Sequence, residues 1–83
     1  MEYTLKDLPI GSWGYVQKLK INGTIRRRLL DMGLVKGSQI ICLGASPIGG
    51  LRAYQICGAV VALRDEIGAE VIIDRPRRCG DGQ

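Results

Sequence analysis

The second half of this chain carries its apolar residues in short segments separated by glycine, and this pattern strongly limits the fold. The segments QIICL, LRAYQIC, AVVAL and EVIID have 5–7 residues each and are rich in Val and Ile. They are too short for typical helices and are therefore predicted to be β-strands. Residues 44–50 form a loop between the first two strands, and Gly58 allows only a tight turn between the next two. Residues 64–68 are predicted to form one helical turn before the last strand.

An alternating pattern from Trp13 to Ile21 predicts another strand. Trp13, Tyr15, Leu19 and Ile21 occupy odd positions, whereas Lys18 and Lys20 occupy even positions. A period of two is typical of a half-buried strand, so Trp13 and Tyr15 are predicted to face inward. In the segment before this strand, two leucines are the predicted anchors, Leu5 and Leu8.

One short helix is predicted after this first strand. Thr24 is a suitable N-cap, Met32 ends the helix, and Gly33 has the position of a C-terminal cap. At about 100° per residue, Ile25, Leu29 and Met32 form one apolar stripe. A helix of two turns is unstable alone, so this stripe is expected to dock on the sheet.

These elements predict a mainly β protein: a small closed barrel of five strands with one short α-helix after the first strand. The single domain is predicted to span residues 1–75. Residues 76–83 follow the last strand and are predicted to form a disordered tail. The chain has 83 residues and a net charge of +4. Half of that charge lies from Arg75 onward, so the folded part is only mildly basic and weakly suited to nucleic acid.

Composition excludes several functional classes. The chain has no His, so His-dependent catalytic triads and His-containing zinc sites are excluded. Its 3 cysteines form no C-x-x-C motif; Cys42 and Cys57 are predicted to be buried thiols, and Cys79 an exposed one. The only local acid cluster is expected to stay solvated: Asp65, Glu66 and Glu70. We therefore predict no catalytic residue, no metal-ligand set and no enzyme activity.

The sequence shows neither a signal peptide nor an apolar run near the roughly 18–20 residues that a membrane span needs. A cytoplasmic protein without membrane insertion is therefore expected.

The run RRRLLDMGLVKGSQI, residues 26–40, resembles the signature of the FeoA family of bacterial ferrous iron uptake. ASPIGG and GAVVALRDEIGAEVII resemble later parts of the same family pattern, and the resemblance covers residues 5–73. Gly50 and Leu51 replace the family's Asp-Pro, and Lys36 replaces its turn proline. The matching signature positions are Arg28, Leu29, Gly33, Leu34, Gly37, Ile40, Leu63 and Arg64.

The resemblance implies an SH3-like barrel, similar also to the C-terminal domain of iron-dependent repressors. It further implies a regulatory accessory role beside FeoB, a membrane ferrous iron transporter with a cytosolic G-protein domain. It implies no catalytic residue. No cofactor is expected. Direct binding of ferrous ion stays open but is not expected to be tight, because the chain lacks the His ligands that ferrous ion favours. Any link to iron is therefore expected to be indirect, through the partner. The sequence is also compatible with a homo-oligomer.

The residues predicted to bind a partner are Arg26, Arg27 and Leu30. Leu30 projects about 100–140° from the apolar stripe, so one helix face cannot bury it with Leu29. It is either an exposed anchor for a partner or covered by the N-terminal segment. The arginines are either a contact patch or a solvated face with an Arg27–Asp31 pair.

Two other binding functions compete with this interpretation: a small nucleic-acid-binding barrel and an SH3-type module for proline-rich peptides. Both need aromatic side chains on a shared surface. The chain has no Phe, 1 Trp and 3 Tyr, scattered along the sequence. No nucleic-acid partner is therefore expected.

Overall fold

The computed structural model describes residues 2–78. Two short strands flank the main elements, β1 (Tyr3–Thr4) and β7 (Arg77–Arg78). The main strands are β2 (Ser12–Leu19), β3 (Gln39–Ala45), β4 (Leu51–Ile56), β5 (Ala59–Arg64) and β6 (Val71–Ile73). The helices are α1 (Thr24–Asp31) and α2 (Asp65–Gly68), and a 3-10 turn covers Leu5–Asp7.

All strand pairs between residues 2 and 78 are antiparallel, in the order β1-β6-β2-β3-β4-β5, and β7 also pairs with β2. Strand β2 is long and belongs to both halves of the sheet. The prediction of a mainly β barrel is confirmed: the five main strands and the helix after the first of them correspond to predicted elements, whereas the short strands β1 and β7 were not predicted. Within the described residues β5 pairs only with β4, so the outer edge of β5 is one of the few free strand edges of the barrel.

Side-chain contacts hold the N-terminal segment against the barrel where strand pairing does not. The N-terminal segment buries Leu5 and Leu8 fully, as predicted. Tyr54 donates from its hydroxyl to the Leu5 carbonyl at 3.2 Å, and Arg52 Nη1 donates to the Leu8 carbonyl at 3.1 Å. Burial raises the pKa of Tyr54 to about 12. The hydroxyl therefore remains a hydrogen-bond donor to a higher pH than that of an exposed tyrosine.

The orientation predicted for β2 is wrong over its first half. Gly14 and Val16 are buried, whereas Tyr15 is exposed and Trp13 half-buried. The pairing of β2 with β6 shifts between Val16 and Lys18, which marks a β-bulge. A bulge adds one residue and reverses the side-chain alternation. Leu19 therefore faces the core with Val16, although their spacing is odd.

The prediction of a buried Cys57 is also wrong. Cys57 and Gly58 form the two-residue turn between β4 and β5, with φ values of 51° and 81°. Positive φ at both positions matches the strand twist of such hairpins and turns the Cys57 side chain outward. Cys57 is exposed, Cys42 is buried as predicted, and Cys79 lies outside the described residues.

The start of the predicted disordered tail is ordered in the structure. Trp13 pairs with Arg77 and Ser12 with Arg78. Strand β6 ends at Ile73, before Pro76, and the chain then returns to the part of the β2 edge that β6 leaves unpaired. The prediction of disorder is therefore wrong for residues 76–78; its remainder lies outside the described residues.

Candidate functional site

Helix α1 begins one residue earlier than predicted, because Gly23, at φ 79°, is the cap in place of Thr24. The residues of the predicted stripe differ in depth: Leu29 is 2% exposed, Met32 is half-buried, and Ile25 is 43% exposed. Ile25 occupies the first turn, where the helix extends beyond the core. Leu29 is thus the single deep anchor of α1.

The C-terminal end of α1 is fixed on the β4–β5 hairpin. Gly33 has a φ of 104°, and the amide of Leu34 donates to the Leu29 carbonyl at 2.9 Å. A Cβ at Gly33 would stand 3.0 Å from Cys57 Sγ. Ser38 Oγ donates to the Gly33 carbonyl at 2.7 Å. Glycine is needed here both for its positive φ and for this close approach.

The outer face of α1 presents the three residues predicted to bind a partner. Leu30 is 36% exposed, so the N-terminal segment does not cover it fully. Arg26 and Arg27 are exposed and lie four and three positions before Leu30, which places all three on one helix face. This set, Arg26, Arg27 and Leu30, is called the α1 face below.

The two arginines of the α1 face are held differently. Arg26 Nη1 donates to the Leu19 carbonyl at 3.0 Å, which joins the helix to the end of β2. Arg27 forms no salt bridge within residues 2–78, and the alternative Arg27–Asp31 pair does not form. Neither charge is paired with a carboxylate within these residues, but only the Arg27 side chain is free of a hydrogen bond there and can reorient toward a partner.

The residues of the family signature form the structure beneath this face. Leu29, Leu34, Ile40 and Leu63 are buried core residues. Glycines 33 and 37 both have positive φ. The two signature arginines, Arg28 and Arg64, are exposed, and Arg64 Nη1 lies 3.7 Å from Glu66 Oε1. The four leucine and isoleucine side chains thus hold α1 and the sheet together.

An open groove of about 670 Å³ lies beside the start of α1. Its apolar lining comes from Ile21, Ile25 and Ile67, and its charged lining from Lys20, Arg64, Glu66 and Glu70. Sequence reasoning missed this groove because its residues come from three separate elements. The one sequence signal was Ile25, an apolar residue of the predicted stripe that the structure leaves 43% exposed at this groove.

The acidic residues do not form the solvated cluster that was predicted. Asp65 is half-buried, its Oδ1 has no hydrogen-bond partner, and Arg52 Nε lies 3.7 Å from that oxygen. Glu66 is exposed and lies near Arg64. In the part of the chain that is described, no group of three or more His, Cys, Asp or Glu residues could hold a metal ion.

No helix between residues 2 and 78 has the length and apolar character needed to cross a membrane.

Comparison with known proteins places this architecture in a family. Residues 3–75 match the FeoA domain. A search of curated proteins gave no match. The zinc-complexed FeoA of Stenotrophomonas maltophilia is 26% identical, with a TM-score of 0.79 over 92% of this chain and 96% of that chain. It is described as a prokaryotic SH3 domain protein proposed to act as a ferrous iron transport activating factor.

Two further solved structures share the fold. A FeoA-like protein from Clostridium acetobutylicum is 26% identical, with a TM-score of 0.78 over 88% of this chain and 85% of that chain. A manganese-dependent transcriptional repressor is 18% identical, with a TM-score of 0.79. That match covers 88% of this chain but only 40% of the repressor, so it shows a shared domain fold alone.

The topology and these matches define a small SH3-like barrel domain, with a family signature in its core and one exposed leucine on its helix. The chain belongs to the FeoA family.

Proposed function

We propose that this protein is a non-enzymatic, regulatory accessory module of bacterial ferrous iron uptake. It acts in the cytoplasm by binding the cytosolic part of a FeoB-type membrane transporter through the α1 face. Membership of the FeoA family supports this role, as does the transport-activating role proposed for the S. maltophilia relative. Such a role needs no catalytic residue and no cofactor of its own.

The observation that carries the proposal is the contrast between Leu29 and Leu30. Leu29 is 2% exposed and anchors the helix, whereas Leu30 is 36% exposed beside Arg26 and Arg27. An exposed apolar side chain flanked by charged ones has the arrangement of many protein interfaces, in which an apolar centre is bordered by a polar rim. The matching surface on the transporter would have an apolar pocket with an acidic rim.

The test is a titration of the full-length protein into the purified cytosolic domain of the transporter, with and without guanine nucleotide. We expect saturable binding to this domain and only weak binding to a random oligonucleotide. Log affinity for a nucleic acid falls steeply with log salt, so the two partners are measured over a range of salt. Tight oligonucleotide binding without detectable binding to the transporter domain would overturn the proposal.

A matched pair of arginine variants tests the α1 face in the same assay. Arg27→Ser removes a charge from this face, and Arg75→Ser removes one exposed charge elsewhere. Because rim charges act mainly on association, Arg27→Ser should slow binding at low salt and have little effect at high salt. Arg75→Ser should leave the association rate unchanged. Equal effects of both variants would show that only net charge matters.

A further inference from the structure

The two aromatic residues of β2 form a pair on the outer surface of the barrel. The ring centroids of Trp13 and Tyr15 are 5.4 Å apart, and the ring planes meet at 87°. Gly14, between them in the strand, faces the opposite side with the core. The β-bulge of β2 produces this orientation, which leaves the aromatic pair outside the core.

The guanidinium group of Arg77 lies over both rings. Its central carbon is 4.9 Å from the Trp13 ring centroid and 5.2 Å from that of Tyr15. Both distances are within the roughly 6 Å range of cation–π attraction. The aromatic pair therefore already binds a cation, supplied by the protein's own chain.

The carboxylate of Asp74 binds the guanidinium group of Arg77. Arg77 Nη1 donates to Asp74 Oδ1 at 3.1 Å, and Nη2 donates to Oδ2 at 3.0 Å. The amide of Tyr15 donates to the same Oδ1 at 2.9 Å and orients the carboxylate. Two parallel bonds to one carboxylate match the planar fork of a guanidinium, and the compact ammonium of lysine cannot form them.

Gly14 allows the carboxylate to approach β2. A Cβ at this position would stand 3.1 Å from Asp74 Oδ1 and 3.4 Å from the Arg75 carbonyl. The carboxylate is thus fixed by the strand itself, through the Tyr15 amide and the space at Gly14, and not only by Arg77. These features would persist if Arg77 moved away.

Little backbone structure holds Arg77 in place. Strand β7 has 2 residues, and its pairing covers only Ser12 and Trp13 of β2. Strand β6 pairs with β2 from Val16 onward. If β7 left, the backbone of Ser12 and Trp13 would offer a free strand edge next to the aromatic pair. An extended segment of another chain could pair with this edge.

We propose that Trp13, Tyr15 and Asp74 form an arginine-binding site that Arg77 occupies in cis. The external ligand is an extended, arginine-bearing segment of a partner protein, which replaces β7 at the edge of β2. The ligand class follows from the occupant: the site holds a guanidinium between two rings and a bidentate carboxylate. This site is separate from the α1 face and does not depend on the proposed role of that face.

The test uses the fluorescence of Trp13, which is the single tryptophan of the chain. The probe is an acetylated, amidated peptide of sequence Ser-Thr-Pro-Arg-Val-Thr, and its control carries Lys in place of Arg. Arg77→Ala should bind the arginine peptide at least about tenfold more tightly than the unaltered protein, because no cis ligand competes. The lysine peptide should bind Arg77→Ala several-fold more weakly than the arginine peptide. Adding Asp74→Asn to Arg77→Ala should abolish this preference for arginine.

A second variant keeps the proposal testable if Arg77→Ala does not fold. Arg77→Lys retains the positive charge but loses the bidentate fork, so the arginine peptide should bind it more tightly than the unaltered protein. The Trp13 indole N–H signal in NMR spectra reports binding independently of fluorescence. A folded Arg77→Ala or Arg77→Lys protein that shows no arginine-dependent change in either signal would overturn the proposal. Equal responses to the arginine and lysine peptides would also overturn it.

Discussion

Leu29 and Leu30 are adjacent in α1, and their different exposures determine what a substitution should do at each position. Leu29→Ala removes a buried side chain and should lower the free energy of unfolding by about 2–5 kcal/mol. Leu30→Ala should lower it by less than about 1 kcal/mol, because the side chain is partly solvated. Urea unfolding of both variants measures the difference. Equal losses would show that α1 buries both leucines.

The ionised Asp74 carboxylate should stabilise the folded protein, and this contribution should be lost at low pH. Burial raises the pKa of Asp74, but hydrogen bonds from Arg77 and the Tyr15 amide outweigh it and hold the pKa below the ordinary 3.8. A lowered pKa means that the charged form stabilises the folded state above the unfolded-state pKa. This contribution is lost as the pH falls below about 3.8, through the folded-state pKa.

Trp13 emission and urea unfolding between about pH 5 and pH 2 measure this loss, since Arg77 contacts both Asp74 and Trp13. Arg77→Ala is the matched control, because it removes the main partner of the carboxylate. The unaltered protein should lose more stability in this range than Arg77→Ala does. Parallel pH profiles would contradict the account of Asp74.

At the scale of elements, the junction between α1 and the β4–β5 hairpin depends on Gly33. Gly33→Ala should cost about 1–2 kcal/mol for the left-handed backbone and a further amount for the 3.0 Å approach to Cys57 Sγ. Gly37→Ala is the matched control: its φ is 91°, but a Cβ there would have no neighbour within 4 Å. It should therefore show the backbone cost alone.

A double-mutant cycle separates the two contributions at this junction. Cys57→Ala removes the sulfur that a Cβ at residue 33 would meet. Combined with Gly33→Ala, it should recover part of the lost stability, measured by thermal unfolding. Strict additivity of the two changes would show that crowding against Cys57 does not contribute.

Features that depend on local sequence periodicity could be predicted, whereas features that depend on strand register or tertiary contacts could not. That Leu30 lies off the buried stripe of Leu29 could be predicted, because helical periodicity alone separates the two side chains. Whether the N-terminal segment covers Leu30 could not be predicted, because that depends on tertiary packing. The orientation of Trp13 and Tyr15 could not, because a bulge depends on the register with β6 and leaves no local pattern in β2. The ordering of Arg77 could not be predicted either, since its aromatic and carboxylate contacts arise only after folding.

For the whole molecule, ferrous ion binding should be weak. The chain has no His, and within residues 2–78 no acidic or cysteine cluster is suitable for a metal ion. Since ferrous ion favours His and carboxylate ligands, we expect affinity no tighter than roughly millimolar. Calorimetry under anaerobic conditions measures it, and a stoichiometric micromolar site on the full chain would contradict this expectation.

The central claim is that the α1 face binds the transporter, and a matched pair of leucine and isoleucine variants tests it most directly. Leu30→Ser removes the apolar side chain of that face, and Ile48→Ser removes a 95% exposed one from the β3–β4 loop. Leu30→Ser should weaken binding to the transporter's cytosolic domain by about 1–2 kcal/mol, or roughly 5–30-fold, without unfolding the protein. Ile48→Ser should leave the affinity unchanged. Equal affinities for the two variants, or loss of binding only in Ile48→Ser, would contradict the claim.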